Sequence, residues 1–256
     1  MTDRQERAMS FGSIAEDYDG FRPQPPGEAV DWLVPSRCEV AVDLGAGTGL
    51  FTRALLSRAA EVIAVEPDAR MRAVLAGRSP EVRAVEGTGE SIPLPDAAVD
   101  AVFVSSAWHW MDPARAVPEI GRVLRDNGRF GLIWTSRDRE VGWVRELDLL
   151  PGEDTPESES PDRFRRRHEN VVLPDPQTFH HVSRETFTSV RTMTIDDVVA
   201  MVGTYSRVII APEDERAARL ANARATLTER FSGAEAIDVP MKSRCWRADR
   251  IPRAGR

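Results

Sequence analysis

The sequence contains little cysteine, and what it has does not form a framework. Its 256 residues include two cysteines, Cys38 and Cys245. These are too few for a disulfide scaffold or a cysteine-based metal site, and the reduced thiols of a cytosolic protein are the expected state. His180 and His181 are adjacent, but no further ligand stands at a suitable spacing. We therefore predict no metal site.

Long apolar runs and an excess of positive charge are also missing. No run approaches the roughly 20 residues that cross a bilayer, and the charged start MTDRQER is not followed by the apolar region of a secretory signal. Lys and Arg number 34 against 41 Asp and Glu, a net charge of −7, which disfavours nucleic-acid and anionic-membrane partners. We expect a cytoplasmic monomer or homodimer that binds neither nucleic acid nor membrane.

A glycine-rich stretch is the most informative part of the sequence. Residues 40–50 read VAVDLGAGTGL. The short β-branched run predicts a buried parallel strand that ends near Asp43. Gly45, Gly47 and Gly49 let the backbone turn tightly and approach a ligand closely, and the helix that follows offers free N–H groups at its start. This strand–loop–helix predicts a cofactor site.

The spacing of these glycines indicates which cofactor is bound. A dinucleotide fingerprint has its third glycine where this chain has Leu50. No Lys-Ser/Thr pair follows, so the loop is not a phosphate-binding P-loop. Asp43 is unfavourable beside a diphosphate but suits a cation. The pattern resembles motif I of class I S-adenosylmethionine (SAM) methyltransferases, in which the loop supports the methionine end of a sulfonium cofactor.

A second acid is predicted beside this loop. Glu66 ends the next apolar strand, one strand–helix–strand unit after Asp43, where an acid can accept hydrogen bonds from both ribose hydroxyls. The alternative is a surface acid that caps the following helix, a role that suits Asp68 better. We predict that Glu66→Ala weakens cofactor binding far more than it harms folding.

The family resemblance also implies further cofactor contacts. The N-terminal phrase Phe11, Ala15, Tyr18 and Arg22-Pro23 resembles the lid of small-molecule methyltransferases. Thr88 stands where the family often has aspartate, so the adenine contact is placed on the backbone amides of Gly89 and Glu90. The complete predicted cofactor set is Asp43, Gly45, Ala46, Gly47, Thr48, Gly49, Glu66, Pro67, Met71, Gly89, Glu90, Ser105, Tyr18 and Arg22.

The fourth predicted strand covers 98–106, and the segment that follows it, 107–112, is rich in aromatic residues and reads AWHWMD. The family resemblance implies that Trp108 and His109 contact the methyl acceptor, whereas Trp110 is interpreted as core. His109 is the candidate general base for a hydroxyl or amine acceptor. The alternative is that His109 only fixes the loop or shapes the pocket, and a carboxylate acceptor needs no base.

The order of the predicted elements favours one fold class. Five strand–helix repeats indicate an α/β, doubly wound, mostly parallel sheet. By resemblance this sheet is the seven-stranded Rossmann-like class I fold with helical additions. The expected segments are a helical lid (1–34), a SAM-binding core (35–135), and an insert plus C-terminal strands in the same domain (136–256).

The boundaries of the remaining elements are predicted from turn residues and apolar periodicity. Gly128 is expected to stop a helix over 113–124, and the helix that follows the glycine loop is expected to run to about Arg58. Residues 136–178 lose the strand–helix rhythm, and the acidic, turn-rich stretch 153–161 within them is interpreted as a solvated loop or a roof over the substrate. The remaining predicted elements are strand 129–135, strand material over 179–192, helices 195–204 and 213–231, and a last strand 237–248 with Trp246 buried.

Three functional interpretations follow. The sequence is most similar to the methyltransferase-11-like group, which includes trans-aconitate-type enzymes. This resemblance implies in-line SN2 transfer from SAM to oxygen or nitrogen of a small molecule, with S-adenosylhomocysteine as product. An NAD(P)-dependent oxidoreductase is disfavoured by Leu50 and by the missing Tyr-x-x-x-Lys pair. The third interpretation is a SAM-binding protein without catalytic activity. Nucleic-acid and protein acceptors are disfavoured by the charge and by the missing Asn/Asp-Pro-Pro-Tyr tetrapeptide.

Overall fold

The computed structural model describes residues 15–147 and 178–253. The helices are α1 (Ala15–Phe21), α2 (Gly27–Leu33), α3 (Leu50–Leu55), α4 (Ala69–Arg78), α5 (Pro113–Val123), α6 (Gly142–Glu146), α7 (Ile195–Gly203), α8 (Ser206–Ile209) and α9 (Glu213–Arg230). The strands are β1 (Val40–Leu44), β2 (Glu61–Val65), β3 (Arg83–Val85), β4 (Val99–Ser105), β5 (Leu124–Arg137), β6 (Phe179–Met193) and β7 (Ile237–Arg250). A 3₁₀ turn covers Trp108–Trp110.

The strands form one seven-stranded sheet in the order β3-β2-β1-β4-β5-β7-β6. The first five strands in this order pair in parallel. Strand β7 runs against β5, because Thr135 Oγ1 lies 2.8 Å from Ser243 Oγ while the Asp138 N–H donates to the Pro240 carbonyl. The predicted doubly wound, mostly parallel seven-stranded sheet is therefore confirmed.

The described residues divide into two compact units. The sheet unit holds 24–135, 178–187 and 243–253, and the helical unit holds 15–23, 136–147 and 188–242. Each unit is assembled from segments that are distant in sequence, because strands β5, β6 and β7 continue from one unit into the other.

Both faces of the sheet in the sheet unit are covered. Val42 and Leu44 of β1 belong to one apolar cluster with α5, whereas Ala41 belongs to another with α2 and α3. This follows from the alternation of side chains along a strand. Burial on both sides explains why the parallel strands read as nearly continuous apolar runs in the sequence.

The boundary between α5 and β5 differs from the prediction. Helix α5 ends at Val123, and Leu124 already pairs with Val99 of β4. The left-handed turn falls at Asn127, with φ 60°. Gly128 does not stop a helix: a Cβ there would lie 2.8 Å from the Arg125 carbonyl oxygen. Glycine is needed because the backbone passes so close to its neighbour.

Helix α3 is shorter than predicted, since it ends at Leu55 and not near Arg58. The Arg58 side chain donates to the Ala54 carbonyl oxygen at 2.8 Å, so it satisfies an acceptor at the end of the helix in place of further helical turns.

The helical unit has an apolar core of its own. Trp143 of α6 packs edge-on against Phe231, which follows α9, with ring centroids 5.1 Å apart. A reciprocal capping box of Thr194 and Asp197 starts α7, as the Thr-x-x-Asp spacing permits. The predicted helices 195–204 and 213–231 and the last strand are confirmed within one or two residues at each end, and Trp246 is buried.

Several predictions fall partly or wholly outside the described residues. They concern Phe11 and most of the 136–178 insert. The described part of that insert forms the end of β5 and α6. In the described ranges no helix is long and apolar enough to cross a membrane, and no group of three potential metal ligands occurs there. Both cysteines are buried and free of disulfides.

Candidate functional site

The glycine loop connects β1 to α3 at the carboxyl end of β1. Gly45, Gly47 and Gly49 have φ values of 72°, 57° and 85°, which L side chains rarely adopt. The N–H groups of Gly45 and Ala46 donate to the Val65 carbonyl oxygen at 2.8 and 3.2 Å. The loop is thereby fixed to the end of β2.

The three glycines differ in what surrounds them. A Cβ on Gly45 would lie 2.8 Å from the Cβ of Ala107, and one on Gly49 would lie 2.9 Å from Cγ of Leu75. A Cβ on Gly47 would meet nothing within 4 Å. Gly45 and Gly49 are therefore required by packing, whereas Gly47 presents bare backbone to open space that a ligand can fill.

Glu66 is held against this loop. Its side chain is buried, and its Oε2 accepts from the Gly47 N–H at 2.9 Å while Oε1 accepts from the Asp68 N–H at 2.9 Å. Burial raises the pKa of Glu66 above its ordinary value, against the lowering effect of these two donors. Arg72 donates to the Glu66 and Pro67 carbonyl oxygens, a contact that the sequence analysis missed.

Asp43 is the second buried acid of the site. It is fully buried, and its Oδ2 accepts from Thr52 Oγ1 at 2.6 Å. Among the described residues nothing donates to Oδ1. Burial raises the pKa of Asp43 to about 7, against the Thr52 hydrogen bond, and the charge of Glu66 adds to the increase.

Asp43 therefore suits a cationic group. A buried carboxylate is stabilised by an opposite charge nearby, and one oxygen of Asp43 remains available. Thr52 was not predicted as part of the site. The feature of the sequence that could have indicated Thr52 is its position, since it is a polar residue between Phe51 and Leu55 on the apolar face of α3.

The loops after β3 and β4 are tied to each other. Gly89 is buried, and a Cβ there would lie 2.6 Å from the sulfur of Met111. Glu90 accepts from the Asp112 N–H at 2.7 Å. Both predicted adenine-binding residues thus stand where the loop after β3 meets the segment after β4.

The other predicted cofactor residues of the sheet unit are distributed around the same loops. Thr48 and Met71 are buried, Ser105 ends β4 partly exposed, and Pro67 is exposed. Asp68 caps α4, as predicted, by accepting from the Arg70 N–H.

The two tryptophans after β4 differ in burial, and Trp110 is not the fully buried one. Trp108 is buried and packs on Phe130 of β5, with centroids 5.5 Å apart. Trp110 is partly exposed, and its ring lies 4.4 Å from that of His109. Trp108 is thus part of the core because β5 lies beside β4, a long-range neighbour that the local sequence does not reveal. Contact of Trp108 or His109 with an acceptor stays a prediction.

Tyr18 and Arg22 belong to the helical unit. The Arg22 guanidinium lies over the Tyr18 ring, 4.9 Å from its centroid, and donates to the Thr204 carbonyl oxygen. Their predicted role at the cofactor stays a prediction.

The chain resembles known proteins along most of its length. A family described as a methyltransferase domain matches residues 42–132. An uncharacterized methyltransferase of Mycobacterium tuberculosis is 40% identical over 247 residues, which cover 96% of this chain and 97% of the relative. A methyltransferase-like protein of Schizosaccharomyces pombe is 30% identical over 218 residues, 81% of each chain.

Two further comparisons concern a named activity and a solved structure. A malonyl-[acyl-carrier protein] O-methyltransferase of Pectobacterium atrosepticum is 33% identical over 129 residues, 49% of this chain and 51% of that protein. The solved structure of a protein provisionally assigned as a type II methyltransferase, from Anaeromyxobacter dehalogenans, has a TM-score of 0.69 and 25% identity, covering 91% of this chain and 100% of that one.

Proposed function

Because the chain belongs to the class I SAM-dependent methyltransferases, we propose that it methylates an oxygen or nitrogen atom of a small organic molecule. SAM is the cofactor of this fold, and it supplies an activated methyl group and a sulfur leaving group. The protein therefore has to position the reactants, exclude water and, for some acceptors, remove a proton.

The observation that supports cofactor binding most directly is the arrangement of Gly47, Glu66 and Asp43. Gly47 offers open backbone, Glu66 is fixed beside it with lone pairs left for ribose hydroxyls, and Asp43 keeps one buried oxygen without a donor. These groups suit a ligand that carries a ribose and a positive charge. We assign the remaining predicted glycine-loop residues to the same ligand.

His109 is the proposed general base for acceptors that must lose a proton. It follows β4 in the 3₁₀ turn, partly exposed beside Trp110, and an imidazole can accept a proton near neutral pH. An oxygen acceptor is favoured over nitrogen by the name of the O-methyltransferase relative. A small acceptor is favoured over nucleic acid by the net charge of −7.

The test is methyl transfer from isotopically labelled SAM to a panel of small carboxylates, phenols and amines, followed by mass spectrometry. We expect a labelled small product with the wild-type protein and much less of it with Gly47→Ala at a limiting concentration of SAM. His109→Ala should slow single-turnover transfer to a phenol but not to a carboxylate. Label that appears only in added protein or nucleic acid, or no label transfer at all, would contradict the proposal.

A further inference from the structure

The loop after β3, which we call the adenine loop and define as residues 87–96, is closed on itself near its start. The N–H groups of Thr88 and Ser91 each donate to the carbonyl oxygen of the other residue at 3.2 Å. Gly89 and Glu90, whose backbone amides are the predicted adenine contacts, lie between these two residues and form the tip of the turn. Any movement of the loop therefore moves both amides together.

Helix α5 carries a glutamate and an arginine that hold the rest of this loop. Arg122 donates through Nη1 to the Leu94 carbonyl oxygen at 2.8 Å and through Nη2 to the Ile92 carbonyl oxygen at 2.9 Å. Its Nη1 also donates to the Asp96 carboxylate at 2.9 Å. Glu119 Oε2 accepts from the Ile92 N–H at 3.0 Å. Both backbone polar groups of Ile92 are thus bonded to side chains of one helix.

The two side chains also hold each other. Glu119 and Arg122 are three residues apart and share one face of α5, and the Glu119 carboxylate accepts from Arg122 Nε and Nη2 at 2.8 and 2.9 Å. A bidentate pair of this kind fixes the planar guanidinium in one orientation. The hydrogen bond from Arg122 holds the pKa of Glu119 below its ordinary value, against burial, and the Ile92 N–H adds to the lowering. Glu119 therefore stays ionised and orients the arginine towards the loop.

Apolar packing alone does not define the position of the loop. Ile92 and Leu94 are buried in the same apolar cluster as Val117 and Ile120 of α5. Such contacts are non-directional, so they hold the loop against the helix without fixing its register. The hydrogen bonds from Glu119 and Arg122 are directional, and they supply that register.

We propose that Glu119 and Arg122 are positioning residues of the cofactor site, which hold the adenine loop where the amides of Gly89 and Glu90 meet the N1 edge of adenine. The inference rests on the proposed function and deepens it, since it assigns the recognition of the cofactor base to a pair of side chains on α5. These side chains act through the loop backbone. Their loss should therefore weaken the recognition of adenine specifically.

The experiment compares two ligands that differ only at the adenine edge. The full-length protein is titrated calorimetrically with S-adenosylhomocysteine and with S-inosylhomocysteine, in which a carbonyl oxygen replaces the 6-amino group. N1 of adenine accepts a hydrogen bond from a backbone amide, whereas N1 of hypoxanthine carries a hydrogen and cannot accept one. We expect the wild type to bind S-adenosylhomocysteine about tenfold more tightly, as is usual for the loss of a hydrogen bond with an unpaired donor left behind.

Matched arginine variants separate positioning from general stability. Arg122→Gln should weaken S-adenosylhomocysteine binding by about tenfold and S-inosylhomocysteine binding much less, so that the ratio of the two affinities falls towards one. Arg129→Gln is the control, because Arg129 lies in the same unit, pairs with Asp249 at 2.9 Å and donates to the Leu33 carbonyl oxygen. This variant should also be less stable than the wild type, but it should keep the wild-type ratio.

Two substitutions of Glu119 test the pair if Arg122→Gln is poorly folded. Glu119→Gln keeps an amide oxygen that can accept from the Ile92 N–H, whereas Glu119→Ala leaves that donor without an acceptor. The ratio of the two affinities should therefore fall less in Glu119→Gln than in Glu119→Ala. This graded rescue is not expected if Glu119 only contributes to folding.

Three results would overturn the inference: equal affinity of the wild type for the two ligands, a wild-type ratio in both Arg122→Gln and Glu119→Ala, or equal changes of the ratio in Arg122→Gln and Arg129→Gln. The proposed function fails in a different way. A wild-type protein that binds S-adenosylhomocysteine with the expected ratio but yields no labelled product counts against small-molecule methylation and leaves the positioning role of Glu119 and Arg122 supported.

Discussion

Gly47 and Gly49 provide a matched pair that separates packing from ligand contact. Both have left-handed backbone angles, with φ 57° and 85°, so alanine at either position costs about 1–2 kcal/mol of conformational strain. Only Gly49 also faces a buried side chain, because its added Cβ would lie 2.9 Å from Cγ of Leu75, which is fully buried. Overpacking a core adds about 1–3 kcal/mol.

The expected losses therefore differ between the two variants. Gly49→Ala should lower the free energy of unfolding by about 2–5 kcal/mol, and Gly47→Ala by about 1–2 kcal/mol. Gly47→Ala should nevertheless weaken SAM binding by about tenfold or more, since its Cβ would occupy the open space where the ligand meets the backbone. Denaturant unfolding and calorimetric titration of SAM measure the two quantities separately.

The control is Gly77→Ala, an exposed helical position with nothing within 4 Å of the added Cβ. It should stabilise the protein by up to about 1 kcal/mol and leave SAM binding unchanged. If Gly49→Ala costs no more than Gly47→Ala, the contact with Leu75 does not have the effect assigned to it. If Gly47→Ala binds SAM like the wild type, the open face of the loop is not the cofactor face.

Three further predictions concern the acids of the site. Glu66→Gln should weaken SAM binding and cost about 2 kcal/mol of stability, since hydrogen bonds to a charged group are worth about 1.5–3 kcal/mol each. The control Asp68→Ala should cost about 1 kcal/mol of stability as a lost helix cap and should weaken SAM binding less. Equal losses of SAM affinity in the two variants would contradict the assignment of Glu66. Thr52→Val should cost about 1–2 kcal/mol by removing the donor to Asp43 and should raise the pKa of Asp43 further, which titration of the two proteins by NMR would test. In the native protein Asp43 keeps its proton up to about pH 7, whereas in the unfolded chain it releases the proton near the ordinary pKa of 3.8. The unfolding free energy of the wild type, minus that of Asp43→Asn, should therefore fall as the pH rises from about 4 to about 7. A difference that stays constant over this range would show that Asp43 titrates normally.

The parts of the site that sequence alone could predict are those fixed by local rules. The run over 40–44 is apolar and β-branched, which predicts strand β1. The glycines that follow adopt positive φ values that other residues avoid, so the sequence also predicts the loop and the helix after it. Glu66 is placed by the length of one strand–helix–strand unit. Strand β1 accordingly covers Val40–Leu44, where the apolar run stands, and β2 ends at Val65, one residue before Glu66.

The parts that sequence could not predict depend on neighbours far along the chain. Val123 ends α5 because Leu124 finds a partner in Val99, not because a stop residue follows. Trp108 is core because Phe130 of β5 lies against it. In both cases the position of β4 beside β5 is decisive, and that position depends on residues far apart in the sequence.

The structure also changes what a Glu66 variant can demonstrate. The sequence alone predicts that Glu66→Ala harms cofactor binding far more than folding. Each carboxylate oxygen of Glu66, however, accepts a backbone N–H, one from Gly47 and one from Asp68, so alanine would leave two donors unsatisfied and loosen the loop itself. Lost affinity in Glu66→Ala would therefore combine a missing ribose contact with a displaced Gly47. Comparing S-adenosylhomocysteine with its 2′,3′-dideoxy analogue separates these effects: the wild type should distinguish the two ligands, and Glu66→Ala should not.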